Sequence, residues 1–111
     1  MALTLNQLIR QLNALPAGTL VTGIDSQINS WRGSYDEHAV TPSSTVIGAR
    51  VLAKRYLRQV GKTVRGWKGG EFPVRLDKPV HLASHGDIGV PITGLEQGAD
   101  GIWTPTVGER A

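Results

Sequence analysis

Leu5, Leu8, Ile9, Leu12 and Leu15 recur at helical spacing with polar residues between them, so the start of the chain is predicted to form an amphipathic helix. Thr4 and Gln7 have the spacing of a capping box, and Leu3 stands where it can staple onto Leu8. Pro16 and Gly18 then end the helix. Leu20 to Ile24 reads as a short strand, followed by a turn from Asp25 to Asn29. A second helix is expected to start at Ser43 or Ser44, just after Pro42, and to run to about Val60, with Gly61 as its C-terminal cap. Val46, Ala49, Ala53, Leu57 and Val60 would form its apolar side, with Tyr56 at the margin and Lys54, Arg55 and Arg58 pointing away.

Beyond Gly61 the period shortens. Thr63 to Trp67, Phe72 to Leu76, Val80 to Ala83, Val90 to Thr93 and Ile102 to Thr104 read as short strands divided by Gly, Pro and Asp. Asp77-Lys78-Pro79 and Ala99-Asp100-Gly101 read as turns. The expected fold is therefore α+β, two helices and a small antiparallel β-sheet. It forms a single domain over residues 1–104, and residues 105–111 are expected to be a flexible tail.

Composition narrows the chemistry. A chain of 111 residues with 40% hydrophobic content supports one modest core. It contains no cysteine, which excludes a disulfide framework and a thiolate metal site. The start, Met1-Ala2-Leu3-Thr4, lacks the basic segment and apolar run of a signal peptide, and no apolar run reaches membrane-spanning length. A soluble cytoplasmic protein with no membrane partner is expected.

The formal charge is only +3, but its distribution is uneven. No acidic residue lies between Glu37 and Glu71, whereas Arg50, Lys54, Arg55, Arg58, Lys62, Arg65 and Lys68 all do. Such a field attracts phosphate, whether on a nucleic acid or on a small nucleotide. Near its end, the second helix also gains from cations through its dipole, which gives Lys54, Arg55 and Arg58 a structural reason to be there. Arg32, Arg65 and Lys68 have no such explanation.

Two blocks contain these cations: Ser30-Trp31-Arg32-Gly33-Ser34-Tyr35-Asp36-Glu37 and Arg65-Gly66-Trp67-Lys68-Gly69-Gly70-Glu71. Each sets an aromatic beside a cation, among glycines and before a carboxylate, in a chain with only three Trp, two Tyr and one Phe. An aromatic face stacks on a planar ring, Arg or Lys neutralises phosphate, and glycine lets backbone N–H groups come close. Trp31, Arg32, Ser34, Tyr35, Arg65, Trp67, Lys68 and Glu71 are the expected ligand-binding residues. Turn glycines and core tryptophans would account for either block singly; the repetition favours a site.

Catalytic and metal chemistry find less support. His81-x-x-x-His85 has the spacing of two helical metal ligands, but Pro79 and Gly86 place it on a strand and turn, where that spacing does not converge. Asp36-Glu37-His38 is adjacent in sequence, and adjacent strand residues face opposite ways. Ser34 and Ser84 lack a nucleophile elbow, and Gly66-x-x-Gly69-Gly70 lacks the Lys-Ser/Thr ending of a P-loop. No enzyme, metal or cofactor is expected.

Thr4 to Pro16, the Trp-Arg-Gly-Ser-Tyr block at Trp31 to Tyr35, Gly61-Lys62-Thr63, the Gly-Trp-Lys-Gly-Gly-Glu block at Gly66 to Glu71, Asp77-Lys78-Pro79-Val80 and Ala83-Ser84-His85-Gly86 together resemble a family of small, largely uncharacterised bacteriophage-encoded proteins. The resemblance extends to about Gly94; His81 and His85 stand where aromatic or polar residues are more familiar. It implies a phage origin and an infected bacterial cytoplasm. Size, origin and site chemistry give an analogy with phage anti-defence sponges, which bind the nucleotide second messengers of CBASS or Thoeris systems without cleaving them. The expected function is sequestration of such a nucleotide, by a homo-oligomer because so small a domain encloses a ligand most readily between subunits, with no specific nucleic-acid partner. The alternatives are a nucleic-acid-binding accessory protein that uses the basic helix as a phosphate track, and a protein-directed inhibitor with Trp and Arg as interface anchors.

Overall fold

The computed structural model describes residues 2–29, 38–65, 71–83 and 89–108, and of residues 64, 65, 71 and 72 the backbone alone. In chain order the elements are α1 (Leu5–Ala14), β1 (Leu20–Val21), β2 (His38–Val40), β3 (Ile47–Gly48), α2 (Ala49–Gln59), β4 (Thr63–Arg65), β5 (Glu71–Pro73), β6 (Val80–Leu82), β7 (Val90–Gln97) and β8 (Trp103–Val107). α1 forms as its sequence predicts. The Thr4 hydroxyl accepts the Gln7 N–H, the Gln7 side chain accepts the Thr4 N–H, and Leu5, Leu8, Ile9 and Leu12 are buried.

Two helices and a sheet make the α+β domain expected, but the sheet differs from the expectation. It has six strands in the order β2-β6-β7-β8-β1-β3 and is mixed, because β2 runs parallel to β6 and β1 parallel to β8. Each parallel pair has a long crossover between its strands, and only such a connection returns the chain in the same direction. For β2 and β6 that crossover contains β3, α2 and the separate β4–β5 hairpin.

α2 starts at Ala49, not at Ser43 or Ser44. Ile47 and Gly48 are held extended by pairing with Leu20 and Val21 of β1, so the helix cannot begin before Gly48. The later start changes which residues face inward. Ala49, Leu52, Ala53 and Tyr56 are buried, whereas Val46 and Leu57, both expected in the core, are 48% and 53% exposed. The end of the helix is as expected, with Gly61 in the left-handed region at φ +85°. Lys54, Arg55 and Arg58 are exposed.

At the other end, β8 continues past Thr104. Pro105, Thr106 and Val107 pair with Leu95, Gly94 and Ile92 of β7 and are sheet residues, not part of a tail. Proline is tolerated there for a topological reason. The Trp103 carbonyl accepts the Thr22 N–H on the β1 side, so Pro105, two residues on, turns its missing N–H to that same side, where β1 has ended.

α1 and α2 pack together over one face of the sheet. Their buried residues join Val21, Ile24, Ile28, Val40, Val74, Val80 and Ile92 in a single core. Among the described residues, no helix is long and apolar enough to cross a membrane.

Candidate functional site

Trp31, Arg32, Ser34, Tyr35, Trp67 and Lys68 lie outside the described residues. Arg65 and Glu71 are described by their backbone: they stand opposite each other at the ends of β4 and β5, so the second block begins and ends on a pair of antiparallel strands. The described residues locate the points from which both blocks leave the fold. These points are gathered around the C-terminal end of α2.

The segment entering the first block is fastened by side chains of α2. Tyr56 donates its hydroxyl to the Asp25 carbonyl at 2.7 Å. One turn further on, Gln59 accepts the Ile28 N–H at 2.9 Å and donates to the Ser26 carbonyl at 2.7 Å. The backbone is then closed by a reciprocal pair, Asn29 N–H to Ala39 carbonyl and Ala39 N–H to Asn29 carbonyl, each 2.8 Å. The first block is thus bounded by Asn29 and His38, two residues at one edge of the sheet.

The second block starts from the same place. Beyond Gly61, the Gly61 N–H donates to the Val74 carbonyl and the Val74 N–H to the Lys62 carbonyl, which close the base of the β4–β5 hairpin against the helix end. His38 joins the two bases. Its side chain is 3% exposed, and its Nε2 lies 3.0 Å from the Arg75 nitrogen and 3.1 Å from the Arg75 oxygen.

His38 cannot keep both of these interactions in one protonation state. In the neutral ring with hydrogen on Nδ1, Nε2 accepts the Arg75 N–H; the imidazolium instead carries hydrogen at Nε2, donates to the Arg75 carbonyl and leaves the Arg75 N–H without that acceptor. Burial disfavours the charged ring and lowers its pKa, with nearby Lys78 acting in the same direction, against the Arg75 carbonyl and Asp77. Between that lowered value and 6.5 the unfolded chain binds more protons than the folded one, so stability falls as the pH drops below about 6.5. Denaturation midpoints followed from pH 7.5 down to 5 should fall, and His38→Gln, which keeps an acceptor and does not titrate, should flatten the profile. An unchanged slope in the variant would assign the pH dependence to other groups.

Exposed cations run along α2 towards this region. Arg50, Lys54, Arg55 and Arg58 line the outer side of α2 and Lys62 follows it. None of them forms an ion pair with a described residue. An ion pair among the described residues, Arg75–Asp77 at 3.1 Å, joins side chains 56% and 66% exposed and adds little stability. The described residues contain no cluster of three or more His, Asp or Glu suited to a metal. His81 lies on β6, as expected for a strand; His85 is outside the described residues.

The sequence places Tyr56 at the margin of the second helix and His38 beside two carboxylates, but it gives no sign of the anchoring roles of Tyr56, Gln59 and His38. Each acts on a residue more than thirty positions away, and local periodicity has no signal for such partners. In comparisons with protein families, with curated proteins and with solved structures, nothing matches the chain.

Proposed function

We propose that this protein binds a small nucleotide-derived anion and sequesters it without cleaving it, as a phage anti-defence protein would sequester an immune second messenger of the cyclic oligonucleotide or ADP-ribose type. The supporting observation is the common origin of the two aromatic-cation blocks at the C-terminal end of α2, tied together through Gln59 and His38. In this reading Arg32, Arg65 and Lys68 neutralise phosphate. Trp31, Tyr35 or Trp67 supplies a stacking face, while Ser34 and Glu71 accept or donate hydrogen bonds to the sugar or base. A homo-oligomer would complete the enclosure in an infected bacterial cytoplasm.

The exposed cations of α2 favour a second reading, a phosphate track for DNA or RNA. One experiment addresses both. The purified protein is incubated with cyclic dinucleotides, cyclic ADP-ribose derivatives and DNA and RNA oligonucleotides at physiological salt, then separated from free ligand and heat-denatured. The expected result is retention of one small nucleotide, released chemically intact, with no salt-sensitive retention of oligonucleotides. Release of a cleaved product would make the protein an enzyme. Salt-sensitive oligonucleotide binding lost on changing Lys54, Arg55 and Arg58 together to Gln would favour the second reading.

A further inference from the structure

Apart from the two blocks, a surface hollow of about 200 Å³ lies between α2 and two neighbouring segments, around residues 24–26 and 43–47, whose backbones are hydrogen-bonded to each other. Asp25, Ser26, Ser43, Thr45, Ile47 and Arg55 line it. Its volume is below the roughly 300–1,000 Å³ of sites that enclose a drug-sized ligand, so it suits one fragment of a larger molecule or a small metabolite.

The hydrogen-bonding groups here are unevenly used. Asp25 Oδ1 accepts the Ser26 N–H at 2.6 Å and the Gln27 N–H at 3.4 Å, and Oδ2 accepts the Thr41 hydroxyl at 3.5 Å. A carboxylate offers about four lone-pair positions, so this one retains capacity for a further donor. Ser43 Oγ accepts the Thr45 N–H at 3.1 Å. No described residue accepts a hydrogen bond from the hydroxyl of Ser26, Ser43 or Thr45, or from the Arg55 guanidinium. The wall therefore presents three hydroxyl donors and a planar cationic fork beside one partly used carboxylate. Lys54 and Arg58, the neighbours of Arg55 on α2, add positive charge outside it.

We infer that this hollow is a binding subsite for a phosphorylated sugar, with Arg55 on the phosphate and Asp25, Ser26, Ser43 and Thr45 on the sugar hydroxyls. A guanidinium pairs bidentately with phosphate, and an acidic side chain is the usual partner of a ribose hydroxyl. A bare anion would gain nothing from Asp25, and a neutral sugar would gain little from Arg55; a sugar phosphate uses both. The chemistry is shared by a free pentose phosphate and by the ribose-phosphate part of a nucleotide. In the second case the subsite deepens the proposed function, and it rests on that reading for the source of the ligand only.

Arg55 and Ser26 make no side-chain hydrogen bond within the described structure, so Arg55→Gln and Ser26→Ala leave the fold intact. The test follows backbone amide shifts of the isotopically labelled full chain during titration with ribose 5-phosphate, ribose or inorganic phosphate at matched ionic strength. Ribose 5-phosphate is expected to shift the amides of Ser26, Thr45 and Arg55 saturably, with ribose and phosphate each binding at least about tenfold more weakly. Arg55→Gln should weaken ribose 5-phosphate by about tenfold or more, and Ser26→Ala by a smaller factor. Tighter binding of AMP than of ribose 5-phosphate identifies a nucleotide as the source; equal or weaker binding identifies a free sugar phosphate. The inference is overturned if ribose 5-phosphate gives no saturable shift, if Arg55→Gln binds it normally, or if inorganic phosphate binds as tightly. Saturable ribose 5-phosphate binding by a protein that retains no nucleotide overturns the nucleotide reading alone, and retention of a nucleotide without a ribose 5-phosphate response overturns this subsite alone, so the two failures are told apart.

Discussion

Gly89→Ala is expected to lower the unfolding free energy by about 2–5 kcal/mol, a large part of the total stability of a small domain. Gly89 is buried at φ +77°, a conformation that costs a side-chain-bearing residue roughly 1–2 kcal/mol. The added Cβ would also run into the Leu82 carbonyl oxygen and come within 2.6 Å of Ala83 Cβ. Neither atom can swing aside, since one is backbone and the other is fixed to it beside the β6–β7 ladder; relief requires a shift of the strand, at roughly 1–3 kcal/mol. Gly61→Ala is the control. Its φ is +85° but nothing lies within 4 Å of the added Cβ, so only the conformational cost applies. Urea titration of both variants checks the order. A Gly89→Ala protein no less stable than Gly61→Ala would show that the strand accommodates the methyl group freely.

Gln59→Ala is expected to cost about 2–4 kcal/mol and, under the proposed function, to weaken nucleotide binding as well. The substitution removes the acceptor of the Ile28 N–H and a donor to the Ser26 carbonyl, on a segment whose Ile28 side chain is fully buried. Each stranded group costs roughly 1–3 kcal/mol, less where water reaches it. Because that segment leads into the first block, its release should reduce affinity beyond what reduced stability explains. Gln59→Glu retains the acceptor for Ile28 and loses the donor to Ser26, so it should fall between the parent and Gln59→Ala. Denaturation and ligand titration on the same three proteins separate the effects. Normal affinity in a folded Gln59→Ala protein would mean that the helix end does not position the block.

The contrast between α1 and α2 shows which information is local. α1 combines a capping box, an apolar stripe and a proline stop within Thr4 to Pro16, all of it readable without the rest of the chain. The start of α2 is decided by Leu20 and Val21, which capture Ile47 and Gly48 as a strand; two residues show no period, so the sequence around Ser43 reads as a helix start. β2 escapes for a related reason. All three of its residues are buried, so the alternation that marks a half-buried strand is missing, and the position of its partner β6 depends on the crossover through α2. Pro105 reads as the end of a strand until the β1 side of β8 is seen to be open at that point.

For the site, the two blocks are legible by composition because aromatic, cation and glycine are adjacent in the chain. Their common point of attachment is not. It depends on pairings such as Gln59 with Ser26 and His38 with Arg75, made by polar residues that carry no pattern. The hollow at Arg55 is of the same kind: Asp25, Ser43, Thr45 and Arg55 come from separate segments, and only the fold assembles them.

A double-mutant cycle between Arg32 and Lys68, read as affinity for the nucleotide that the proposed function expects the protein to retain, tests most directly whether the two blocks form one site. Each charge-assisted contact is worth roughly 1.5–3 kcal/mol, so Arg32→Ala and Lys68→Ala should each weaken binding by about ten- to a hundredfold. Two groups that hold the same ligand should be coupled, with the double variant departing from the sum of the singles by about 0.5–3 kcal/mol. Strict additivity to within about 0.5 kcal/mol, or a single variant that binds normally, would contradict the account and return the block concerned to a structural role.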